Sequence, residues 1–175
     1  MSAILVAYAT KNGSTREVAE AIGAVALAEG DDIEVVPAHA VDGPVTRVDL
    51  VVLGAPIYSG RWHRDALRFL KRHRRELAGV PVAVFALGPR RDDAEAWRRS
   101  WAQLHRALAR RTWLQPVAVG LFGGADPAGR GRPARRDLRD WTAIGAWTRN
   151  VLASLRTADA PGRSARVPGA GGQSV

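Results

Sequence analysis

Five short apolar runs, alternating with stretches in which apolar residues recur every three or four positions, set the pattern of this chain. Ile4 to Tyr8 is the first run. From Thr15 the spacing turns helical through Val18, Ile22, Val25 and Ala26, and Gly30 closes that helix. A second run, Ile33 to Val36, stops at Pro37. Asp49 to Gly54 reads as a strand buried on both faces, the habit of parallel sheets. A loop over Ala55 to Trp62 and a helix from Arg64 to Ala78 are expected next, then a fourth strand from Val80 to Leu87. Asp93 to Arg111 predicts an amphipathic helix with Trp97, Trp101, Leu104 and Leu108 along its buried face. Pro116 to Phe122 is the fifth strand, and Gly123 to Arg136 a Gly-, Pro- and Arg-rich loop. The last helix, Leu138 to Leu155, turns Trp141, Ile144, Thr148, Val151 and Leu155 inward. Five buried strands alternating with helices predict an α/β fold, a doubly wound parallel sheet. The folded domain is expected over residues 1–156, and the aperiodic Gly-, Pro- and Ser-rich end, 157–175, as a disordered tail.

Composition changes this picture in two places. The chain has no cysteine, which excludes disulfides, thiolate metal sites and cysteine nucleophiles. His39, His73 and His105 lack any metal-ligand spacing and read as surface residues, so no metal site is expected. The formal charge is +9, from 26 Lys plus Arg against 17 Asp plus Glu, and nearly all the cations are Arg. That balance suits an anionic substrate, partner or surface, and it equally suits a solvated cationic exterior. The basic residues are spread over several helices without a nucleic-acid motif, so nucleic acid is not an expected partner. With no basic, apolar leader and no run near the ~20 apolar residues that span a bilayer, no transmembrane segment and a cytoplasmic location are expected.

The candidate chemistry begins where the first strand ends. Thr10-Lys11-Asn12-Gly13-Ser14-Thr15 follows Tyr8-Ala9 and opens a helix. Hydroxyls, backbone donors and a glycine free to turn N–H groups inward sit at the positive end of a helix dipole. Such a loop cradles an anion, and a phosphate monoester fits it. It is neither a Walker loop nor a GxGxxG fingerprint. Ser14 or Thr15 acting as an ordinary helix N-cap is the competing reading.

Ile4 to Thr15 resembles the flavodoxin phosphate signature, a first strand followed by Thr/Ser-x-Thr-Gly-x-Thr. Thr10, Gly13 and Thr15 match it; Asn12 stands where the family usually has Thr, and an Asn amide still donates to phosphate. Gly54-Ala55-Pro56-Ile57-Tyr58-Ser59-Gly60-Arg61-Trp62 looks like the family's loop over one face of the isoalloxazine, and Ala86-Leu87-Gly88-Pro89-Arg90 like its other flavin loop. Within the superfamily, the stretch from Gly54 to His63 and the ending Arg139 to Trp147 are similar to the menaquinone-dependent protoporphyrinogen dehydrogenase type. That type often carries a long insertion before the last helix, linked to membrane and quinone contact; here the stretch is only Gly123 to Asp137.

The resemblance implies a flavodoxin-like five-stranded sheet in the order 2-1-3-4-5, with FMN as cofactor. Thr10, Lys11, Asn12, Gly13, Ser14 and Thr15 would hold the phosphate. Pro56, Ile57, Tyr58, Ser59, Gly60, Trp62, Leu87, Gly88 and Pro89 would surround the ring, with Tyr58 or Trp62 stacked on it or walling its edge. Backbone amides of Ser59, Gly60, Leu87 and Gly88 would bond its pyrimidine end, and a peptide flip at Tyr58-Ser59-Gly60 would accompany protonation of the flavin. No catalytic residue is assigned; His63 and Arg61 are candidates for positioning an anionic substrate or relaying a proton, and a plain helix-start cluster is the alternative for both. Asp92-Asp93 reads as the cap of the following helix. The expected function is an FMN-dependent oxidoreductase acting on a small organic, anionic substrate of quinone or porphyrinogen type. The alternative is an electron carrier serving a redox protein. A homodimer is a further expectation.

Overall fold

A computed structural model of the chain describes residues 1–126 and 136–159. The element order is β1 (Ala3–Tyr8), α1 (Ser14–Ala28), β2 (Asp32–Pro37), β3 (Leu50–Tyr58), β4 (Arg61–Trp62), α2 (Arg64–Arg72), β5 (Val82–Leu87), α3 (Ala94–Ala109), β6 (Ala118–Phe122) and α4 (Trp141–Asp159). Two short 3₁₀ turns, Ala38–Ala40 and Val45–Arg47, lie between β2 and β3. The five parallel strands run β2-β1-β3-β5-β6, which is the expected 2-1-3-4-5 order once the short antiparallel β4 is set aside.

Strand alternation sends side chains to two cores. Ile4, Val6, Leu50, Val52 and Phe85 point to the face covered by α1 and α4, where they meet Val18, Ile22, Ile144 and Val151. Leu5, Ala7, Val51, Leu53 and Val84 point to the other face, beneath Phe69 and Leu70 of α2 and Leu104 of α3. Burial on both faces is why these strands read as unbroken apolar runs. Gly54 keeps the first core closed: a Cβ there would lie 2.0 Å from Phe85 Cζ.

Several boundaries move from their expected places, each for a local reason. The expected loop 55–62 is a β-hairpin, because β3 continues to Tyr58 and returns as β4, pairing Tyr58 with Arg61 and Ile57 with Trp62. The two turn residues, Ser59 at φ 48° and Gly60 at φ 74°, both lie in the left-handed region, as a type I′ turn requires. The helix expected to reach Ala78 ends at Arg72, since His73 leaves helical geometry and buries its ring 4.8 Å from that of Phe69. His73 is therefore a core residue, 3% exposed, and not a surface one. Helix α3 begins after Asp93, whose carboxylate accepts from the Ala96 amide at 2.8 Å, so the expected cap at this end is present.

Helix α4 starts three residues later than expected. Asp137 pairs with Ala125 in extended chain, the Leu138 amide donates to Gly124 O, and Asp140 caps the helix through the Ala143 amide at 2.9 Å. The helix continues through 157–159, residues expected in the tail; the rest of that tail, 160–175, and residues 127–135 of the basic loop lie outside the described residues. Two tryptophans expected inside are not: Trp101 stacks on His105 at the surface, and Trp141 is 46% exposed with Arg139 over its ring. Among the described residues, no helix is long and apolar enough to cross a membrane, and no group of His, Asp and Glu could hold a metal ion.

Candidate functional site

The two central strands, β1 and β3, lead their chains away in opposite directions, and a crevice opens at their carboxyl ends. Open α/β sheets bind ligands at such a switch point. A cleft of about 320 Å³ occupies it. Asn12 and Ser14 line it from the loop after β1, Pro56 to Ser59 from the end of β3, and Leu87 and Gly88 from the end of β5. The three segments singled out in the sequence thus converge on one site.

The first loop leaves polar groups at the start of α1 without side-chain partners. Gly13, at φ 89°, is the N-cap residue of α1 and supplies no side chain to its first turn. Thr10 folds its hydroxyl back to accept from the Gly13 amide at 2.9 Å, which holds the turn. Thr15 is 1% exposed, and its hydroxyl has no hydrogen-bond partner. Neither Ser14 nor Thr15 serves as N-cap, so the competing reading of this loop does not apply. A buried hydroxyl without a partner is costly, and here it stands beside unpaired amides at a dipole's positive end. A phosphate monoester satisfies that donor set. Lys11 is exposed at the loop's tip.

The loop is braced from behind by a residue that sequence reasoning did not assign. Arg139, 8% exposed, donates to both carboxylate oxygens of Asp137, to the Glu17 carboxylate, and to Ser14 O at 3.3 Å. Hydrogen bonding to Asp137, and secondarily to Glu17, raises its pKa above the ordinary arginine value despite burial. Nothing local in Asp137-Leu138-Arg139 signals a partner more than a hundred residues away.

The ring-side candidates divide. Tyr58 is 43% exposed at the hairpin tip and lines the cleft with Ser59. Leu87 and Gly88 form the opposite wall, but the Gly88 amide already donates to Phe122 O at 2.7 Å and is not available to a ligand. Pro89 is buried, its carbonyl accepting from the Gly124 amide. Trp62 is 4% exposed, packs in the core under α2 and α3, and lines a different, smaller cleft with Gly60 and Arg61. His63 caps α2 by accepting from the Asp65 amide at 3.3 Å, which is the plain helix-start role. Of the arginines near these loops, Arg64 lies beside Asp65 and Arg91 pairs with Asp93, while Arg90 lines the main cleft. Ser100 and Gln103 of α3, together with Gly124 and Ala125, complete the lining. Their three-residue spacing on α3 faces the β5 end, but the tryptophans on the same helix carry the stronger sequence signal. No acidic side chain lines the cleft among the described residues.

Comparison with known proteins bears on the family and the fold. A family model described as a flavodoxin domain matches residues 5–126. The chain belongs to the flavodoxin-domain family. Among solved structures, this flavodoxin domain is similar to a short-chain flavodoxin associated with a PDU bacterial microcompartment, with a TM-score of 0.63 and 17% identity over 89% of this chain and 99% of that one. It is also similar to the Fusobacterium nucleatum flavodoxin bound to flavin mononucleotide, with a TM-score of 0.56 and 16% identity over 88% of this chain and 99% of that one. Among curated relatives it matches protoporphyrinogen IX dehydrogenase [quinone] of Escherichia coli (strain K12), 30% identical over 84 residues. That match covers 47% of this chain and 46% of the relative, about half the length of each.

Proposed function

We propose that this flavodoxin domain holds one FMN in the main cleft and acts as an FMN-dependent oxidoreductase on a small organic substrate of quinone or porphyrinogen type. The observation that carries the cofactor assignment is the partnerless, buried Thr15 hydroxyl at the uncapped start of α1. The phosphate would be held by that hydroxyl, by the amides of the first turn and by Asn12 and Ser14, with Thr10 and Arg139 fixing the loop. When bound, FMN supplies the electron-transfer chemistry. The chain's own part is to place and shield it. Tyr58 walls one side of the ring's position from the hairpin tip, and Leu87 and Gly88 wall the other. Backbone amides of Ser59 and Gly60, in the hairpin turn, are the donors for its polar edge; the Leu87 amide lies within β5, paired with β3, and is not available.

The substrate class rests on two supports. The curated relatives carry a quinone-dependent dehydrogenase name over the matched half. The cleft is lined by a cation, Arg90, and by no acid among the described residues, which favours an anionic substrate over the basic partner that an acidic carrier surface recruits. Oxidation of the reduced, FMN-loaded protein by a series of quinones tests this reading. Saturation with substrate, and a raised KM in Arg90→Glu with kcat little changed, are expected. Transfer that never saturates with any small acceptor, but is fast to a redox protein, would make this domain an electron carrier.

A further inference from the structure

A second cleft, of about 210 Å³, opens behind the hairpin, between β4 and the carboxyl end of α3. Its polar side chains are all donors: the guanidiniums of Arg61, Arg110 and Arg111 and the indole of Trp62. No side chain lining it can accept a hydrogen bond, and no carboxylate lies within 4 Å of any of the three guanidiniums among the described residues. Elsewhere some arginines pair with carboxylates, as Arg16 with Glu20 and Arg99 with Glu95 do, and others, such as Arg47 and Arg98, stand singly. Here three cations are gathered instead, and Arg111 lies 5.9 Å over the Trp62 ring. One of its N–H groups donates to Ala107 O at 2.7 Å, which fixes the side chain against the helix end.

Trp62 supplies the second, independent observation. The residue is 4% exposed, and its indole N–H has no hydrogen-bond partner. A buried donor left unpaired costs free energy that an acceptor would return. The side chains that line the cleft thus offer donors and no acceptor. We infer that this second cleft binds a small oxyanion, the carboxylate or phosphate group of a ligand, between the guanidiniums of Arg61 and Arg110 with the Trp62 indole N–H as a further donor. Arginine forks match such groups geometrically. Burial and the neighbouring Arg110 lower the Arg111 pKa, which an anion in this place would reverse.

The site touches the redox cleft through one strand turn. Arg61 follows Ser59-Gly60, Gly60 lines the second cleft, and Tyr58 and Ser59 line the first. An oxyanion held at Arg61 thus bears on the conformation of the hairpin tip. The inference does not depend on the redox proposal, because its donors line a cleft separate from the one proposed for FMN.

The test follows the indole itself. The protein has six tryptophans, and Trp62→Phe assigns the Trp62 indole N–H signal in a ¹H–¹⁵N spectrum by its disappearance. Malonate and inorganic phosphate are then titrated separately at constant ionic strength. A saturable downfield shift of that signal with malonate, phosphate or both is expected, and the better probe identifies the ligand group. Arg61→Gln and Arg110→Gln should each weaken binding about tenfold or more, whereas Thr15→Val, at the start of α1, should leave it unchanged. An indole signal that does not move, or moves linearly without saturation with both probes, would overturn the inference. So would saturable binding insensitive to Arg61→Gln and Arg110→Gln but abolished by Thr15→Val, because the anion would then sit at α1.

Discussion

Arg139 donates a hydrogen bond to the carboxylate of Glu17, joining the segment before α4 to the first turn of α1 across 122 residues of sequence. The same guanidinium holds Asp137 and Ser14 O, so the phosphate loop is fixed by a charge network and not by its own glycine alone. Arg139→Met removes these bonds while keeping the side chain's bulk. Loss of a buried, multiply bonded guanidinium is expected to cost about 2–3 kcal/mol, and FMN affinity should fall with it. Thermal unfolding with and without FMN checks both; a variant unchanged in both would show the network to be incidental.

Thr15→Val separates binding from stability because the two should move in opposite directions. The apo protein loses a buried hydroxyl that has no partner, and should gain about 1 kcal/mol. FMN affinity should drop about tenfold as a phosphate donor is lost, and further when Asn12→Ala is added. Denaturant unfolding of the apo protein and fluorescence titration with FMN give the two numbers.

Gly54→Ala tests how the first core is closed. Its Cβ would sit 2.0–2.6 Å from three atoms of the Phe85 ring, an overlap that side-chain rotation at a fully buried position cannot relieve. A loss of about 2–3 kcal/mol is expected, measured by urea unfolding. Adding Phe85→Leu should recover part of it.

The α3 cap predicts a pH dependence of definite sign. Asp93 accepts from the Ala96 amide, and that bond, aided by Arg91, holds its pKa below the ordinary 3.8. A group depressed on folding stabilises the native state above its unfolded pKa and loses that contribution as pH falls through the folded value. The stability gap between wild type and Asp93→Ala should be full at pH 6 and shrink below about pH 4. A gap that widens with acid would contradict the cap.

The parallel strands were legible because β1, β3 and β5 are buried on both faces, which leaves a continuous apolar run that no helix period imitates. Asp93 was legible as a cap because its chemistry is local. What failed to read were features decided by tertiary contact. Tyr58-Ser59-Gly60-Arg61 does not announce a hairpin, since Ser59 takes a left-handed conformation that serine seldom adopts. Trp101 and Trp141 keep helical spacing with core residues yet face outward, beside His105 and Arg139. Trp62 looked like a flavin contact because it lies in a flavin loop, but the return strand β4 carries it into the core beneath α2 and α3. Arg139 carries no local signal of its role behind the loop, because its partners Glu17 and Ser14 lie at the other end of the chain. The turn from Thr10 to Thr15 that opens α1 was legible for the opposite reason, that glycine, hydroxyls and helix start are all contiguous.

The proposed function rests on the loop from Thr10 to Thr15 binding the phosphate of FMN. Parallel titration of the apo protein with FMN and with riboflavin, which carries the same ring without the phosphate, tests it most directly. Saturable binding of FMN at about one per chain is expected, with affinity for riboflavin weaker by about a hundredfold, as loss of two or more charge-assisted hydrogen bonds implies. Equal affinity for the two, or no binding of either, would contradict it.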